Sequence, residues 1–355
     1  MSDTPTQGPL RGLRVLEFAG IGPGPHCAML LADLGAEVLR IEREGGNGWP
    51  NPVVDRGRKR LTLDIRSDAG RERCLALAEN ADVLIEGFRP GVMERLGLGP
   101  QPMHARNPRL VYGRMTGWGQ DGPLAHSAGH DINYLALSGA LAAIGTPGGP
   151  ATPPLNLVGD FGGGSLYLAF GILAALWERE RSGQGQVVDA AIVDGVSSMM
   201  SFFAGLLPGG RISLERERNL LGGAAPHYRC YRCADGREIA IGPLEPQFLA
   251  ELLRRIEAPA ELLAGCADPD NWPAQGRELA DLFARKTQAE WCALLEGSDA
   301  CFAPVLTLAE AARHPHMRQR GVYRDIDGVL HAAPAPRFSR TPGAIRGSVA
   351  ARDWD

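Results

Sequence analysis

Lysine is almost missing from this 355-residue sequence, in which Lys59 and Lys286 are the only two. Chemistry through a lysine Schiff base therefore has few candidate residues. An excess of positive charge is missing as well, because the net charge is −4 and the isoelectric point is near 6.1. We expect no DNA or RNA partner, although local basic clusters could hold a phosphorylated small molecule.

A leader and a long apolar run are also lacking. The first ten residues, MSDTPTQGPL, are polar and do not have the charged-then-apolar layout of a signal peptide. The longest strongly apolar stretch, LYLAFGILAALW, is shorter than the roughly 20 residues that a membrane-spanning helix needs. We therefore expect a cytoplasmic protein with no membrane partner.

Metal-binding patterns are sparse. Seven cysteines without a secretory signal fit reduced thiols better than a disulfide framework. The one C-x-x-C motif, Cys230–Cys233, lies in a segment predicted to form two strands around an Asp235-Gly236 turn, and no second pair completes a zinc set. We expect no metal site.

Short β-branched runs alternate with helical patterns through the first half of the chain. Strands such as GLRVLEFAG and ADVLIEGF alternate with helices such as HCAMLLADLG and GRERCLALAEN. This alternation predicts an α/β fold with a Rossmann-like parallel sheet. We predict a large domain over residues 1–195, completed by 330–355, and a smaller α+β domain over 227–313. Residues 196–226 are a predicted linker and 314–329 a predicted return linker.

Basic residues gather near the ends of predicted strands. They are Arg40, Arg43, the run Arg56–Arg60, Arg89 and Arg95. Each by itself is typical of a solvated surface charge. Together they favour a phosphate-bearing ligand, because ligands bind at the carboxyl ends of parallel strands and guanidinium groups bind phosphate bidentately.

The segment Gly20–Pro25 occupies the place of a dinucleotide fingerprint without matching it. Its spacing is G-x-G-x-G, and its two prolines remove backbone N–H donors that a pyrophosphate would use. A tight turn that leads into a helix with proline at its first position explains these residues.

The stretch AGHDINYLALSG places His130 and Asp131 ahead of an apolar helical pattern. Asp131 or Asn133 is a suitable helix cap, which is a sufficient structural explanation of the acid. His130 is harder to explain by capping. The N-terminus of a helix disfavours a protonated imidazole and presents free N–H groups to an anion, so this place could host an oxyanion.

Asp160 lies in the glycine-rich stretch PPLNLVGDFGGG, directly before a long predicted helix. A helix cap is the simpler explanation of this residue as well. Gly162–Gly164 favour a functional role, because three residues without side chains leave room for another backbone or a substrate. Asn156, four residues earlier, could orient the Asp160 carboxylate.

Several segments together resemble the α-methylacyl-CoA racemases, which belong to the larger group of family III CoA transferases. The resemblance extends over about residues 10 to 340 and rests on GLRVLEFAGIGPGPHCAMLLADLGAEVLRIER, DVLIEGFRPGVMERLGLGP, YGRMTGWGQDGP, AGHDINYLALSG, PPLNLVGDFGGG, GQVVDAAIVDG and GPLEPQF. It implies an interlocked homodimer in which one chain's large domain and the other chain's small domain share each active site. It also implies that coenzyme A is part of the substrate and that no separate cofactor is needed.

The resemblance assigns roles to residues at matching positions. His130 and Asp160 would be the two acid/base groups, Glu245 of the partner chain would support the histidine, and the backbone N–H of Asp131 would receive enolate charge. Asn156 would act behind Asp160. The implied coenzyme A contacts are Arg43, Leu63, Asp64, Ile65, Arg66, Phe88, Arg89, Arg95, Gly129, Ile132, Asn133 and Tyr134.

The implied reaction interconverts (2R)- and (2S)-2-methylacyl-CoA thioesters by proton transfer through an enolate. The alternative is a CoA transferase in which Asp160 attacks the thioester as a nucleophile. A histidine at position 130 together with Glu245 favours the racemase. The segment Gly222–Tyr228 departs from the family pattern, which leaves acyl-chain specificity open, and a chain that ends at Asp355 without a peroxisomal signal fits a bacterial-type cytosolic protein.

Overall fold

The computed structural model describes residues 8–46 and 49–354. Its strands are β1 (Arg14–Phe18), β2 (Glu37–Glu42), β3 (Arg58–Thr62), β4 (Val83–Glu86), β5 (Val111–Thr116), β6 (Val187–Ala191), β7 (Arg229–Arg232), β8 (Glu238–Ile241), β9 (Phe302–Pro304), β10 (Tyr323–Ile326), β11 (Val329–Ala332) and β12 (Val349–Ala350).

The α-helices are α1 (Pro23–Asp33), α2 (Asp68–Ala78), α3 (Val92–Arg95), α4 (Pro100–Arg106), α5 (Asp131–Leu137), α6 (Tyr167–Ser182), α7 (Ile192–Met199), α8 (Ser201–Leu206), α9 (Pro246–Arg255), α10 (Trp272–Phe283), α11 (Gln288–Leu295), α12 (Leu308–Ala311) and α13 (Pro315–Gln319). A π-helix spans Leu157–Leu166 and runs directly into α6. Single 3₁₀ turns occupy Leu141–Ala143, Leu207–Gly209, Leu220–Gly222, Ala260–Leu263 and Pro269–Asn271.

The chain divides into two compact units. Of the described residues, the first contains those within 8–138, 155–199 and 315–354, and the second contains 139–154 and 200–314. These boundaries differ from the sequence-based ones, which placed 139–154 in the large domain and 196–226 and 314–329 in linkers. The Arg216 side chain explains one difference, since it donates to the carbonyls of Ala142 and Gly149, both at 2.8 Å. No local pattern signals such a long-range bond.

The first unit contains a seven-stranded sheet in the order β12-β3-β2-β1-β4-β5-β6. Every pairing in it is parallel. The chain builds outward from β1 to β3 and then returns to add β4 to β6 on the other side. This is the doubly wound Rossmann order, so the predicted fold class is confirmed, and the strand order reverses beside β1.

The buried strands carry apolar residues on both faces, as parallel strands covered by helices require. On one face, Leu16, Leu39 and Leu84 form a core with residues of α2. The second unit has its own core around Ile239, Phe283 and Trp291. There β7, β8 and β9 form an antiparallel sheet.

Two stretches, Leu157–Ser182 and Ile192–Gly209, are long and apolar enough to cross a membrane by length and composition alone. The first is longer than the apolar run seen in the sequence because the π-helix continues into α6. Leu168 and Ile172 of α6 are fully buried. A core helix of a globular protein passes the same test of length and composition, so two such stretches are weak evidence for a membrane.

A charged pair lies inside the first unit. Arg58 Nε donates to Glu17 Oε2 at 2.9 Å, and both side chains are 0% exposed. Arg58 also donates to the carbonyl oxygens of Val54, Arg56 and Pro25. Glu17 Oε1 has no hydrogen-bond partner within 8–46 and 49–354. The Glu17 charge therefore depends on Arg58.

Replacing Arg58 with methionine is expected to lower the free energy of unfolding by about 3–5 kcal/mol, because it leaves the Glu17 charge buried without the cation that hydrogen-bonds to it. Urea denaturation followed by circular dichroism measures the change. The control is Arg106→Met, which removes an exposed pair with Glu72 and Glu79 and should leave the midpoint almost unchanged. A loss below about 1 kcal/mol for Arg58→Met would contradict this account.

Candidate active site

A cleft of about 1540 Å³ opens at the carboxyl ends of the central strands in the first unit. Residues that follow β1, β2, β3, β4 and β5 line it, including Ala19, Arg43, Leu63 and Gly87. The strand order reverses beside β1, so the cleft lies where open α/β sheets bind ligands. His130, Tyr134, Asn156 and Asp160 line the same cleft.

Asp160 lies in the π-helix, and a side chain outside that helix hydrogen-bonds to its backbone. The Asp160 N–H donates to Oδ2 of Asp131 at 2.7 Å. The Asp131 carboxylate packs so tightly there that a β-carbon on Gly159 would lie 2.1 Å from it. Asp131 is 9% exposed, so its carboxylate accepts this hydrogen bond largely shielded from water. π-Helical segments are rare and occur often at functional sites.

The surroundings of the Asp160 side chain favour its protonated form. Asn156 Nδ2 donates to Asp160 Oδ2 at 3.2 Å. Burial raises the pKa of Asp160 above its usual range, and the nearby Asp131 charge raises it further, while the Asn156 hydrogen bond and His130 oppose the rise. A carboxylate with a raised pKa in a cleft is a better base than an exposed one, and such groups cluster at catalytic sites.

His130 is the N-cap of α5 and has an extended backbone. Its backbone N–H donates to Oδ1 of Asn133 at 3.0 Å, and its side chain is exposed. Of the two predicted cap residues, Asp131 is the first residue of the helix rather than its cap, and its carboxylate accepts the N–H of Asp160. Asn133 does take part in capping, since its Oδ1 accepts the N–H of the N-cap residue. His130 and Asp160 come from separate elements and are close enough to interact electrostatically.

The glycine run after Asp160 accommodates protein rather than ligand. A β-carbon on Gly163 would lie 2.6 Å from Val196 of α7, and one on Gly164 would lie 3.1 Å from both Ile192 and Pro23. The sequence left open whether another backbone or a substrate lies against these glycines. In the structure, α7 and α1 pack against them.

The structure brings most of the predicted contact residues to the cleft. Those that line it are Arg43, Leu63, Asp64, Ile65, Arg66, Phe88, Arg89, Gly129, His130, Tyr134, Asn156 and Asp160. Those that lie outside its lining are Arg95, Asp131, Ile132 and Asn133. Arg95 is exposed at the end of α3, and Ile132 and Asn133 are exposed in the first turn of α5. Glu245 belongs to the second unit, where it precedes α9 and its side chain is exposed.

Three arginines that the sequence grouped with phosphate ligands have another role. Arg40, Arg56 and Arg58 are at most 4% exposed. Each forms an ion pair inside the unit, and their acidic partners are Asp55, Asp33 and Glu17 respectively. The phosphate assignment was wrong for these three, because their guanidinium groups are already neutralised away from solvent. Arg43, Arg66 and Arg89 remain exposed in the cleft.

Sequence reasoning missed the part of the cleft wall formed by Gly20–Pro25, which it interpreted as a turn. The turn is there, with Pro23 at the start of α1 and Gly22 as its N-cap at φ 71°. A β-carbon on Gly22 would lie 3.4 Å from Asp160 Oδ2. The signal that could have found this wall is its position directly after β1, at the carboxyl edge of the sheet.

The doubly wound sheet and the cleft at its carboxyl edge define an α/β enzyme. The chain belongs to CoA-transferase family III, whose family model matches residues 10–350. It is 47% identical over 334 residues to alpha-methylacyl-CoA racemase of Mus musculus. The aligned region covers 94% of this chain and 87% of that protein. It is 44% identical over 337 residues to alpha-methylacyl-CoA racemase of Homo sapiens, with the same two coverages.

The fold has a solved relative. A crystal structure of a CAIB/BAIF family protein from Brucella suis is similar with a TM-score of 0.82 and 27% sequence identity, over 97% of each chain. The likeness therefore covers both units of the chain and not the parallel sheet alone.

Proposed function

We propose that this protein is a racemase that interconverts (2R)- and (2S)-2-methylacyl-CoA thioesters. The observation that carries the proposal is the presence of an imidazole and a carboxylate, His130 and Asp160, in one cleft and on separate elements. Inversion of a carbon acid needs one group to remove a proton from one face and another to return a proton to the opposite face. The identity to two named racemases supports the same reaction.

The proton transfer proceeds through an enolate. The α C–H bond breaks, the proton passes to His130 or Asp160, and the electron pair moves onto the thioester oxygen. Asp131 does not itself line the cleft, but it directly follows His130, which does. As the first residue of α5 it has an N–H with no acceptor inside the helix, which is suited to receive that charge. Loss of one such donor typically costs roughly 3 kcal/mol in the barrier. The other acid/base group then gives a proton to the opposite face.

The substrate carries coenzyme A, so no separate cofactor takes part. Arg43, Arg66 and Arg89 are exposed in the cleft and suit the phosphate groups of coenzyme A. Leu63 and Ile65 add apolar lining to the same cleft. The acyl group then lies toward His130 and Asp160.

The active protein is an interlocked homodimer in the cytoplasm. Phe170 and Trp177 of α6 are 71% and 70% exposed, and Leu173 lies between them on the same side of the helix. Exposed apolar side chains grouped in this way are typical of an association surface. Glu245 of the partner subunit supports His130 by fixing its tautomer and stabilising its protonated form.

In heavy water, either enantiomer of a 2-methylacyl-CoA is expected to gain deuterium at the α-carbon and to be converted to a mixture of enantiomers. The proton taken by each group exchanges with solvent before another is returned. Mass spectrometry measures the deuterium, and chiral chromatography of the released acid measures the inversion. Recovery of the starting enantiomer with its α-hydrogen intact would contradict the proposal.

A CoA transferase is the second candidate, because the family to which the chain belongs bears that name. Asp160 would then attack the thioester carbon and displace the CoA thiolate, which forms an acyl-aspartyl anhydride. Hydroxylamine traps such an acyl group, whereas a proton-transfer enzyme gives no trapped acyl product.

A further inference from the structure

Two polar side chains beside Asp160 have no role in the proton transfer. His26 lies in the first turns of α1, and Ser165 lies in the π-helix five residues after Asp160. A hydrogen bond joins His26 Nδ1 and Ser165 Oγ at 2.7 Å. Ser165 is 0% exposed, so water does not compete for this bond.

The His26 ring makes a second contact with the same π-helix. Its centroid lies 4.6 Å from that of Phe161, the residue after Asp160, with the rings tilted by 38°. Gly22, the N-cap of α1, lies against the Asp160 carboxylate. The start of α1 therefore contacts the π-helix at Asp160, at the next residue and one turn further on.

Burial and the charges around His26 keep its ring neutral. Burial, together with the nearby Arg58 and Arg56 guanidinium groups, lowers the pKa of His26 to about 4. At neutral pH the contact with Ser165 is therefore an ordinary hydrogen bond between uncharged groups.

A π-helix needs such contacts more than an α-helix does. It is a rare conformation that occurs mostly as a single turn within an α-helix, and here it extends over ten residues, Leu157–Leu166. A return to α-helical hydrogen bonding would rotate Asp160 relative to the cleft. The Asp131 carboxylate holds the backbone at Asp160, and the His26–Ser165 bond holds the next turn.

We propose that His26, through its hydrogen bond to Ser165 and its contact with Phe161, is a positioning residue that fixes the place of the Asp160 carboxylate in the cleft. The inference rests on the proposed function, and it extends that function to a pair that touches neither substrate nor coenzyme A. His26 acts on one face of the reaction only, because its contacts lead to Asp160 and not to His130.

Two variants, His130→Ala and Asp160→Asn, serve as backgrounds in which an effect of His26 on Asp160 can be separated from an effect on His130. In His130→Ala, Asp160 alone takes the α-proton of one enantiomer, exchanges it for deuterium and returns the deuteron to the same face. In Asp160→Asn, His130 alone does so with the other enantiomer. His26→Phe keeps the ring and removes the hydrogen bond, and Ser165→Ala removes the other partner of that bond.

In the His130→Ala background, His26→Phe and Ser165→Ala should each lower the rate of α-deuterium exchange by about 10- to 100-fold at saturation, with KM changed less than about twofold. The two changes together should cost no more than either one, because they break the same bond. His26→Asn places an amide near the former Nδ1 and should recover part of the rate. In the Asp160→Asn background the same variants should change the exchange less than about twofold.

Equal losses of exchange rate in both backgrounds would show general damage to the cleft and would overturn the positioning role. An unchanged exchange rate in both backgrounds would also overturn it. Thermal unfolding of each variant shows whether the fold is intact. If the unmodified protein exchanges no α-hydrogen from either enantiomer, the proposed function fails together with this inference. If it exchanges normally and the variants do not differ, only the inference fails.

Discussion

Replacing His130 with alanine is expected to lower the rate of inversion of a 2-methylacyl-CoA by about 100- to 10,000-fold, the range for loss of a positioned acid/base group. The effect is large because no second imidazole lines the cleft among residues 8–46 and 49–354. Chiral analysis of the product over time measures the inversion. Affinity for coenzyme A should stay within about threefold, since His130 contributes proton transfer rather than phosphate binding.

His126→Ala is the matched control for this variant. His126 is also exposed, lies four residues earlier and does not line the cleft. It should invert the substrate at the rate of the unmodified protein. If His130→Ala also kept that rate, His130 would not be one of the two proton-transfer groups.

Asp160→Asn is expected to have the second large effect, a loss of inversion of about 100- to 10,000-fold. The amide is almost the same size as the carboxylate, so the packing beside Gly22 is kept, but it cannot take up a proton. Deuterium exchange from one enantiomer should persist through His130, whereas exchange from the other should stop. Mass spectrometry of the two enantiomers, incubated separately in heavy water, measures this difference.

Asp121→Asn serves as the control, because Asp121 is an exposed acid outside the cleft lining.

The competing transferase reaction makes a different prediction for Asp160. Hydroxylamine would then trap an acyl group on the unmodified protein and none on Asp160→Asn. That result would replace proton transfer with nucleophilic attack.

The fold was predictable because the sheet is specified locally. β1, β2 and β4 are short segments that each contain consecutive apolar residues and are separated by helical segments, a pattern typical of parallel strands whose two faces are covered. The region of the site was predictable for a related reason. Ligands of such sheets bind where strands end, and Arg43 and Arg89 follow strand ends in the sequence.

The details of the site depend on long-range contacts that the sequence does not display. The pattern around Asp160 predicted a cap before an α-helix, whereas the residue lies inside a π-helix braced by Asp131, 29 residues earlier. Arg58 is typical of a surface charge in its local sequence, and only the pairing with Glu17 explains why it is buried. The hydrogen bond between His26 and Ser165 spans 139 residues.

The bond from the Asp160 amide to the Asp131 carboxylate also bears on thermal motion. Asp131 is the chain neighbour of His130, so a small displacement at the beginning of α5 carries the amide of Asp160 along with it. The backbones of the two residues proposed to exchange hydrogen with the carbon acid are therefore tied together by one hydrogen bond and one peptide unit, although they lie 30 positions apart in the sequence.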